Sequence, residues 1–554
     1  MRAWKIAVLV AVAMAAGFVL GLAKDELPFT KNDIAGAEKL IALTFTDAER
    51  DSMQGDLADY RKGYEALRDL PIPNDVPPAL VFNPAPGRDL RVAGKPQRIE
   101  WSKPKGIKRP ARLEDVAFWS VRDLAELIRT RQVTSTELTQ MYLARLQRFG
   151  PKLECVVSLT EERAFASAKK ADEEIKKGHY RGILHGIPYG AKDLLAVQGY
   201  KTTWGSAPYK EQNFNETATV IKRLDDAGAV LIAKLTLGEL AWGDVWFGGM
   251  TRNPWNLEEG SSGSSAGSAS ATSAGCVAFA IGTETWGSIV SPSTRCGVTG
   301  LRPTFGRVSR AGAMALSWSM DKIGPICRTV EDCGIVLDAI KGPDGLDPAV
   351  IDAPFTYSAK TKLSDLKIGY VKSLFEEDYP NKANDVATLE KLRQLGATLV
   401  PIELPKVPSA PLACILTAES AAAFDDLTRS NHDDMMARQV RNAWPNTFRA
   451  ARFIPAVEYI QANRARTILM REMEKLPVDV YITPAFGGDN LLYTNLTGNP
   501  CVVLPNGFND KGRPTSITFM GRLFEEGKVL TVAKAYQDAT DFHLKHPPMF
   551  AAAN

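Results

Sequence analysis

Residues 263–275 read GSSAGSASATSAG and residues 282–290 read GTETWGSIV, with GIPYGAKDL upstream at 186–194. These stretches set two serines in small-residue surroundings, Ser264 and Ser288, downstream of one lysine, Lys192. A serine hydroxyl is a weak nucleophile until a neighbouring base takes its proton. Histidine is the usual base, yet none of the chain's five histidines, His179, His185, His432, His543 and His546, lies in the serine-rich segment. A lysine can do the same work when burial disfavours its charged form and lowers its pKa. Lys192 sits among Gly190, Ala191, Leu194 and Leu195, with Asp193 beside it, a setting that predicts partial burial.

Further motifs follow in order: CGVTGLRPTFGRVSR at 296–310 and TNLTGNPCVVLPNGF at 494–508. Over roughly residues 118–547 the chain resembles the amidase signature family. These serine hydrolases include fatty acid amide hydrolases, peptide amidases and the amidase subunit of tRNA-dependent amidotransferases. The resemblance implies an α/β fold, with a large mixed twisted central β-sheet flanked by helices on both faces. It also implies an amidohydrolase that cleaves the C–N bond of a carboxylic amide, with no cofactor and no metal.

Site residues carry over one by one. Ser288 matches the nucleophile, Lys192 the general base, and Ser264 the bridging serine that passes the proton between them and follows a cis peptide bond in the family. Ser261, Ser262 and Ser265 compete with Ser264 for the bridge. The family places the bridge about two dozen residues before the nucleophile, and 288 − 264 = 24 selects Ser264. Backbone N–H groups of Thr285, Trp286, Gly287 and Ser288 are expected to converge on the oxyanion of the tetrahedral intermediate.

Two positions depart from the family pattern. Trp286–Gly287 stands where two glycines are usual, so Trp286 is expected to narrow the acyl side of the pocket or to set a different loop geometry. Glu284 occupies the acid position of a loop-bracing acid–arginine pair, and Val290 replaces the arginine. Within GELAWGDVWFGGMTRNPW (238–255), Trp242 and Trp246 are candidates to line the substrate pocket, with plain packing as the alternative. Cys296, beside the catalytic loop, reads as a small buried core residue.

Composition sets wide bounds. The 554 residues are 45% hydrophobic and 24% charged, with a net charge of +3, too balanced to point to nucleic acid or an anionic surface. The seven cysteines show no metal-ligand spacing and no dense disulfide framework, although a pair such as Cys327 and Cys333 could bridge in an oxidising compartment. At the N-terminus, Arg2 and Lys5 precede an apolar run from Ile6 to Ala23, and Gly21 and Ala23 fit a small-x-small cleavage rule. Residues 1–23 are expected to be a signal peptide of a periplasmic or extracellular protein, or alternatively an uncleaved anchor holding the protein outside the cytoplasm.

Residues 24 to about 70 read as helical, with a capping pattern at Thr46–Glu49. Pro71–Pro110 reads as an extended arm or linker. Residues 24–115 are thus taken as an N-terminal extension, 116–547 as the catalytic domain and 548–554 as a tail. The domain opens with helices at Ser120–Arg131 and Thr136–Phe149, the second behind a capping box at Thr134–Glu137. Strands are expected at Ala229–Ala233, Val277–Ile281, Lys367–Val371, Thr398–Ile402, Val478–Ile482, Cys501–Leu504 and Ile517–Met520. They alternate with helices at Glu216–Ala227, Thr329–Ile340, Asp385–Leu395, Ala456–Glu474 and Lys528–Phe542.

Gly263–Gly267 satisfies the G-x-S-x-G elbow of α/β-hydrolase esterases, but Asn253–Glu259 before it makes a poor buried strand. A non-catalytic binding protein on the same fold would have little reason to keep the lysine and both serines. Export argues against membership of the tRNA amidotransferase assembly. The expected partner is a small-molecule amide.

Overall fold

A computed structural model describes residues 27–86 and 99–551. The expected signal segment therefore lies outside the described residues. The chain divides after Pro73 into two compact units.

In the first unit, the stretch read as helical forms two helices, Lys31–Ile41 and Asp47–Arg68. Thr30 with Asp33, and Thr46 with Glu49, close reciprocal capping boxes that satisfy the first free N–H groups of each helix. Between them the backbone turns at Ala42, which has φ +56°. Arg50 Nε reaches back to Glu38 Oε1 at 2.7 Å and ties one helix to the other. Among the described residues no helix is long and apolar enough to cross a membrane.

The second unit is built on an eleven-stranded sheet. Its first strands are β1 (Val156–Leu159), β2 (Pro188–Lys192) and β3 (Val230–Leu235). Two short hairpins stand apart from it: β4 (Val245–Trp246) with β5 (Gly249–Met250), and β6 (Arg252–Asn253) with β7 (Asn256–Gly260). The sheet continues with β8 (Phe279–Glu284), β9 (Thr299–Arg302), β10 (Lys322–Cys327), β11 (Ile368–Val371), β12 (Leu399–Ile402), β13 (Val480–Pro484), β14 (Cys501–Phe508) and β15 (Pro514–Gly521). The spatial order is β1-β3-β2-β8-β10-β9-β14-β15-β13-β11-β12. Parallel pairs β3-β2-β8 and β13-β11-β12 flank an antiparallel centre, so the sheet is mixed as expected. The central strands are buried along their whole length, as a sheet covered by helices on both faces requires.

Every serine-rich position from Ala266 to Ser273 falls in one buried helix. Small side chains let this helix press against the sheet and the helix Val290–Cys296, and its hydroxyls find acceptors on both. Ser268 Oγ donates to Ile281 O at 3.0 Å, and Ser273 Oγ donates to Cys296 O at 2.6 Å. A helix all of whose residues are buried shows no amphipathic stripe. β7, which precedes Ser264 and Ser265, pairs only with β6 and not with the large sheet. The strand-to-helix elbow demanded by the esterase alternative is therefore missing, and that reading is corrected.

Candidate active site

Lys192 is the last residue of β2, and in the sheet it lies beside Leu235 of β3. Its side chain is closed off from solvent, and the amine makes four contacts. Nζ lies 2.8 Å from Ser264 Oγ, 3.1 Å from Ser265 Oγ, 2.8 Å from Thr283 Oγ1 and 3.5 Å from Thr283 O. Burial pulls its pKa down to about 7, against the opposing pull of Asp321 and Glu284. Beside it, Asp193 is neutralised by Lys234 at 2.6 Å, and both partners are fully buried.

The two candidate bridging hydroxyls differ in their partners. Ser265 Oγ accepts from Thr283 N at 3.1 Å and donates to Thr283 O at 3.0 Å, so its proton is committed. Among the described residues, Ser264 Oγ has Lys192 as its sole partner. A neutral amine has two N–H donors and one lone pair. Thr283 and Ser265 can take the donors, which leaves the lone pair for the Ser264 proton. The Gly263–Ser264 peptide bond is cis. Gly263 is a glycine because a Cβ there would lie 1.7 Å from Gly243 O. Ser261 is buried but turns its hydroxyl to Ser262 O, 2.9 Å away.

Ser288 follows β8 on the loop that leads into the helix Val290–Cys296, and its side chain is buried. The Ser265 N–H donates to Ser288 O at 3.1 Å, which joins the two serine segments through the backbone. Among the described residues the Ser288 hydroxyl has no hydrogen-bond partner. The N–H groups of Thr285, Trp286, Gly287 and Ser288 likewise meet no protein acceptor there. Gly287 has φ +85°, a conformation that glycine alone adopts without strain. Trp286 needs no such freedom, for its φ is not positive. Its side chain is 44% exposed, at the surface of the loop.

The brace of this loop corrects the sequence reading. Glu284 has an arginine after all, namely Arg302 of β9, with Nη1 2.8 Å from Oε1 and both side chains fully buried. Asn495 Nδ2 donates to the same oxygen at 2.9 Å. The other carboxylate oxygen accepts the N–H groups of Ile289 at 2.8 Å and Val290 at 2.9 Å. Burial works to raise the Glu284 pKa, but Arg302 and these donors bring it down to about 2. The replaced arginine position thus serves the brace through its backbone. Arg302 stands 18 residues from Glu284, and only the pairing of β9 and β8 with β10 between them makes the two neighbours.

On its other side the loop is held by Asp321, which accepts the Thr285 hydroxyl. Trp242 is half-buried, with the Arg438 guanidinium 5.1 Å from its ring centre. The loop that carries it abuts the Ser264 segment: Gly243 O meets Gly263, and Gly238 N donates to Ser264 O at 3.2 Å. Trp246, on β4, packs its ring against Phe247 at 4.8 Å. All seven cysteines are free thiols. Among the described residues no group of His, Cys, Asp or Glu side chains suited to a metal ion occurs.

A family model described as Amidase matches residues 137–492. A glutamyl-tRNA(Gln) amidotransferase subunit from a Marinomonas species is 33% identical over 484 residues, which cover 78% of this chain and 99% of the relative. The corresponding subunit from Methylococcus capsulatus is 34% identical over 481 residues, covering 77% and 98%. Among solved structures, native peptide amidase from Stenotrophomonas maltophilia superposes with a TM-score of 0.70 at 30% identity, covering 79% of this chain and all of that one.

Proposed function

The chain belongs to the amidase family and is an amidohydrolase acting on carbon–nitrogen bonds, and we propose that it hydrolyses a carboxylic amide through an acyl-enzyme on Ser288. Neutral Lys192 takes the proton of Ser264, and Ser264 takes that of Ser288. The freed oxygen attacks the amide carbon. The N–H groups of Thr285, Trp286, Gly287 and Ser288 receive the oxyanion, each such donor being worth about 3 kcal/mol in the transition state. The proton returns along the same path to the leaving nitrogen, the C–N bond breaks, and water then releases the acid. The observation that carries this reading is the solvent-free Lys192 amine 2.8 Å from an otherwise uncommitted Ser264 hydroxyl. A fluorophosphonate that labels Ser288, mapped by mass spectrometry, tests it. Labelling on Ser265, or none at all, counts against it.

Trp242 is proposed to face the substrate because its loop borders the Ser264 segment, and Trp246 to shape that loop from behind. A second reading comes from the relatives that bear the name of an amidotransferase subunit: the chain works on glutamine as one component of an assembly. The stretch of roughly one fifth of this chain that lies outside their match speaks for a separate enzyme. So does the basic and apolar N-terminus, on which export to the periplasm or beyond is proposed. Ammonia release by the purified chain alone, assayed on glutamine, peptide amides and N-acyl amines, separates the two. Recovery from the periplasm of a protein that begins near Lys24 tests export.

A further inference from the structure

We propose that the proline-rich segment Asn74–Pro86 is a strap that positions the oxyanion loop, with Asn74 and Phe82 as its two positioning residues. The inference rests on the Ser288 reading above and adds residues from the arm ahead of the catalytic body. Two separate anchors lead from this segment to one turn, Ala315–Asp321. At the first, the Asn74 amide pairs with the backbone of Ala315: Oδ1 accepts from Ala315 N at 2.7 Å, and Nδ2 donates to Ala315 O at 2.9 Å. The same Nδ2 donates to Ala423 O at 3.2 Å, at the end of the helix Cys414–Ala423. At the second, Phe82 lies under Arg466, whose Cζ is 3.5 Å from the ring centre. Arg466 in turn grips Ser319 by its hydroxyl and its carbonyl, both at 2.8 Å.

The turn held in this way reaches the chemistry in two steps. The N–H groups of Leu316 and Ser317 donate to Asp321 Oδ2 at 2.8 and 2.9 Å. The other oxygen of Asp321 accepts the Thr285 hydroxyl, on the loop whose N–H groups receive the oxyanion. Glu419, from the same helix as Ala423, secures the turn independently through Ser317 and Ser319. Prolines at 77, 78, 84 and 86 deprive the strap of backbone donors and stiffen it, so side chains make its attachments.

The test compares full-length wild type with Asn74→Ala, Phe82→Ala, the double variant and Leu80→Ala, the last at a strap residue 90% exposed. Hydrogen exchange is followed at residues 289–290, the hydrogen-bonded amides that end the oxyanion loop, and at 315–317, together with kcat and KM on an amide and the rate of Ser288 labelling. The strap predicts exchange about tenfold faster in both segments for the double variant, kcat and labelling slowed about tenfold, KM held, and Leu80→Ala unchanged. Faster exchange confined to 315–317, with 289–290 and labelling as in wild type, overturns it. If wild type is not labelled at Ser288, the proposed function fails, and exchange at 289–290 alone then upholds or sinks the strap.

Discussion

Lys192 Nζ lies 2.8 Å from Ser264 Oγ, with neither side chain open to solvent. An amine in that position has lost its water and gained only neutral partners at contact distance, so desolvation governs its titration.

The first consequence concerns stability. The Lys192 pKa is about 7 folded against 10.5 for the free side chain. Below pH 7 both states carry the proton and the full cost of burying the charge falls on the folded state. From pH 7 to 10.5 the unfolded state binds more protons, so stability rises with pH and the cost fades. Lys192→Met removes that cost. Its melting temperature relative to wild type should therefore be higher at pH 6 than at pH 10.5, while amide hydrolysis falls about 10³-fold or more. An equal offset at both pH values would show that the amine is not desolvated.

Ser264 and Ser265 should separate cleanly. Ser264→Ala should lower hydrolysis about 10³-fold and leave stability nearly unchanged. Ser265→Ala strands the buried Thr283 N–H and should cost about 1–3 kcal/mol of stability, with the smaller loss of activity. Ser261→Ala should leave the rate close to wild type. Urea unfolding and steady-state rates on the three variants check the ordering. A reversed order of activity for Ser264 and Ser265 would move the bridge by one residue.

Much of this was legible in the sequence, and the omissions have physical causes. The helix Ala456–Glu474 falls where its periodicity puts it, and the Thr134 capping box opens the helix Ser135–Leu153. β10 to β15 are mostly apolar, yet only the last five stood out, because Lys322, Gly324 and Pro325 break the run of β10. β2, the strand that presents Lys192, reads PYGAK and carries no β-type pattern at all. Residues 266–273 carry no apolar periodicity, because the helix they form is buried on every side and close packing, not an amphipathic stripe, selects its small residues. Arg302 was missed as the partner of Glu284 because the contact is made through sheet order rather than sequence spacing.

Arg302→Met should be severe. It leaves the Glu284 carboxylate buried and unpaired, at a cost of about 3–5 kcal/mol. The folded pKa of Glu284, about 2, lies below its ordinary 4.5, so its contribution is present above pH 4.5 and is lost as the pH falls towards 2. The deficit of the variant in urea unfolding should shrink between pH 7 and pH 3. A deficit independent of pH would mean that Arg302 acts by packing alone.

Trp286, 44% exposed, should matter for selectivity and hardly for stability. Trp286→Ala is expected to raise kcat/KM for amides with bulky acyl groups relative to acetamide-sized ones, by about tenfold. Profiling both enzymes on one amide panel decides this. An unchanged profile would place the indole away from the acyl group.

The most direct test of the account is the rate at which Ser288 is acylated by an activated amide or phosphonylated by a fluorophosphonate, followed from pH 5 to pH 9. The lysine relay predicts a rate that rises with pH through a single ionisation near pH 7 and that disappears in Lys192→Ala. A rate that is flat across this range, or an adduct found on a serine other than Ser288, would contradict it.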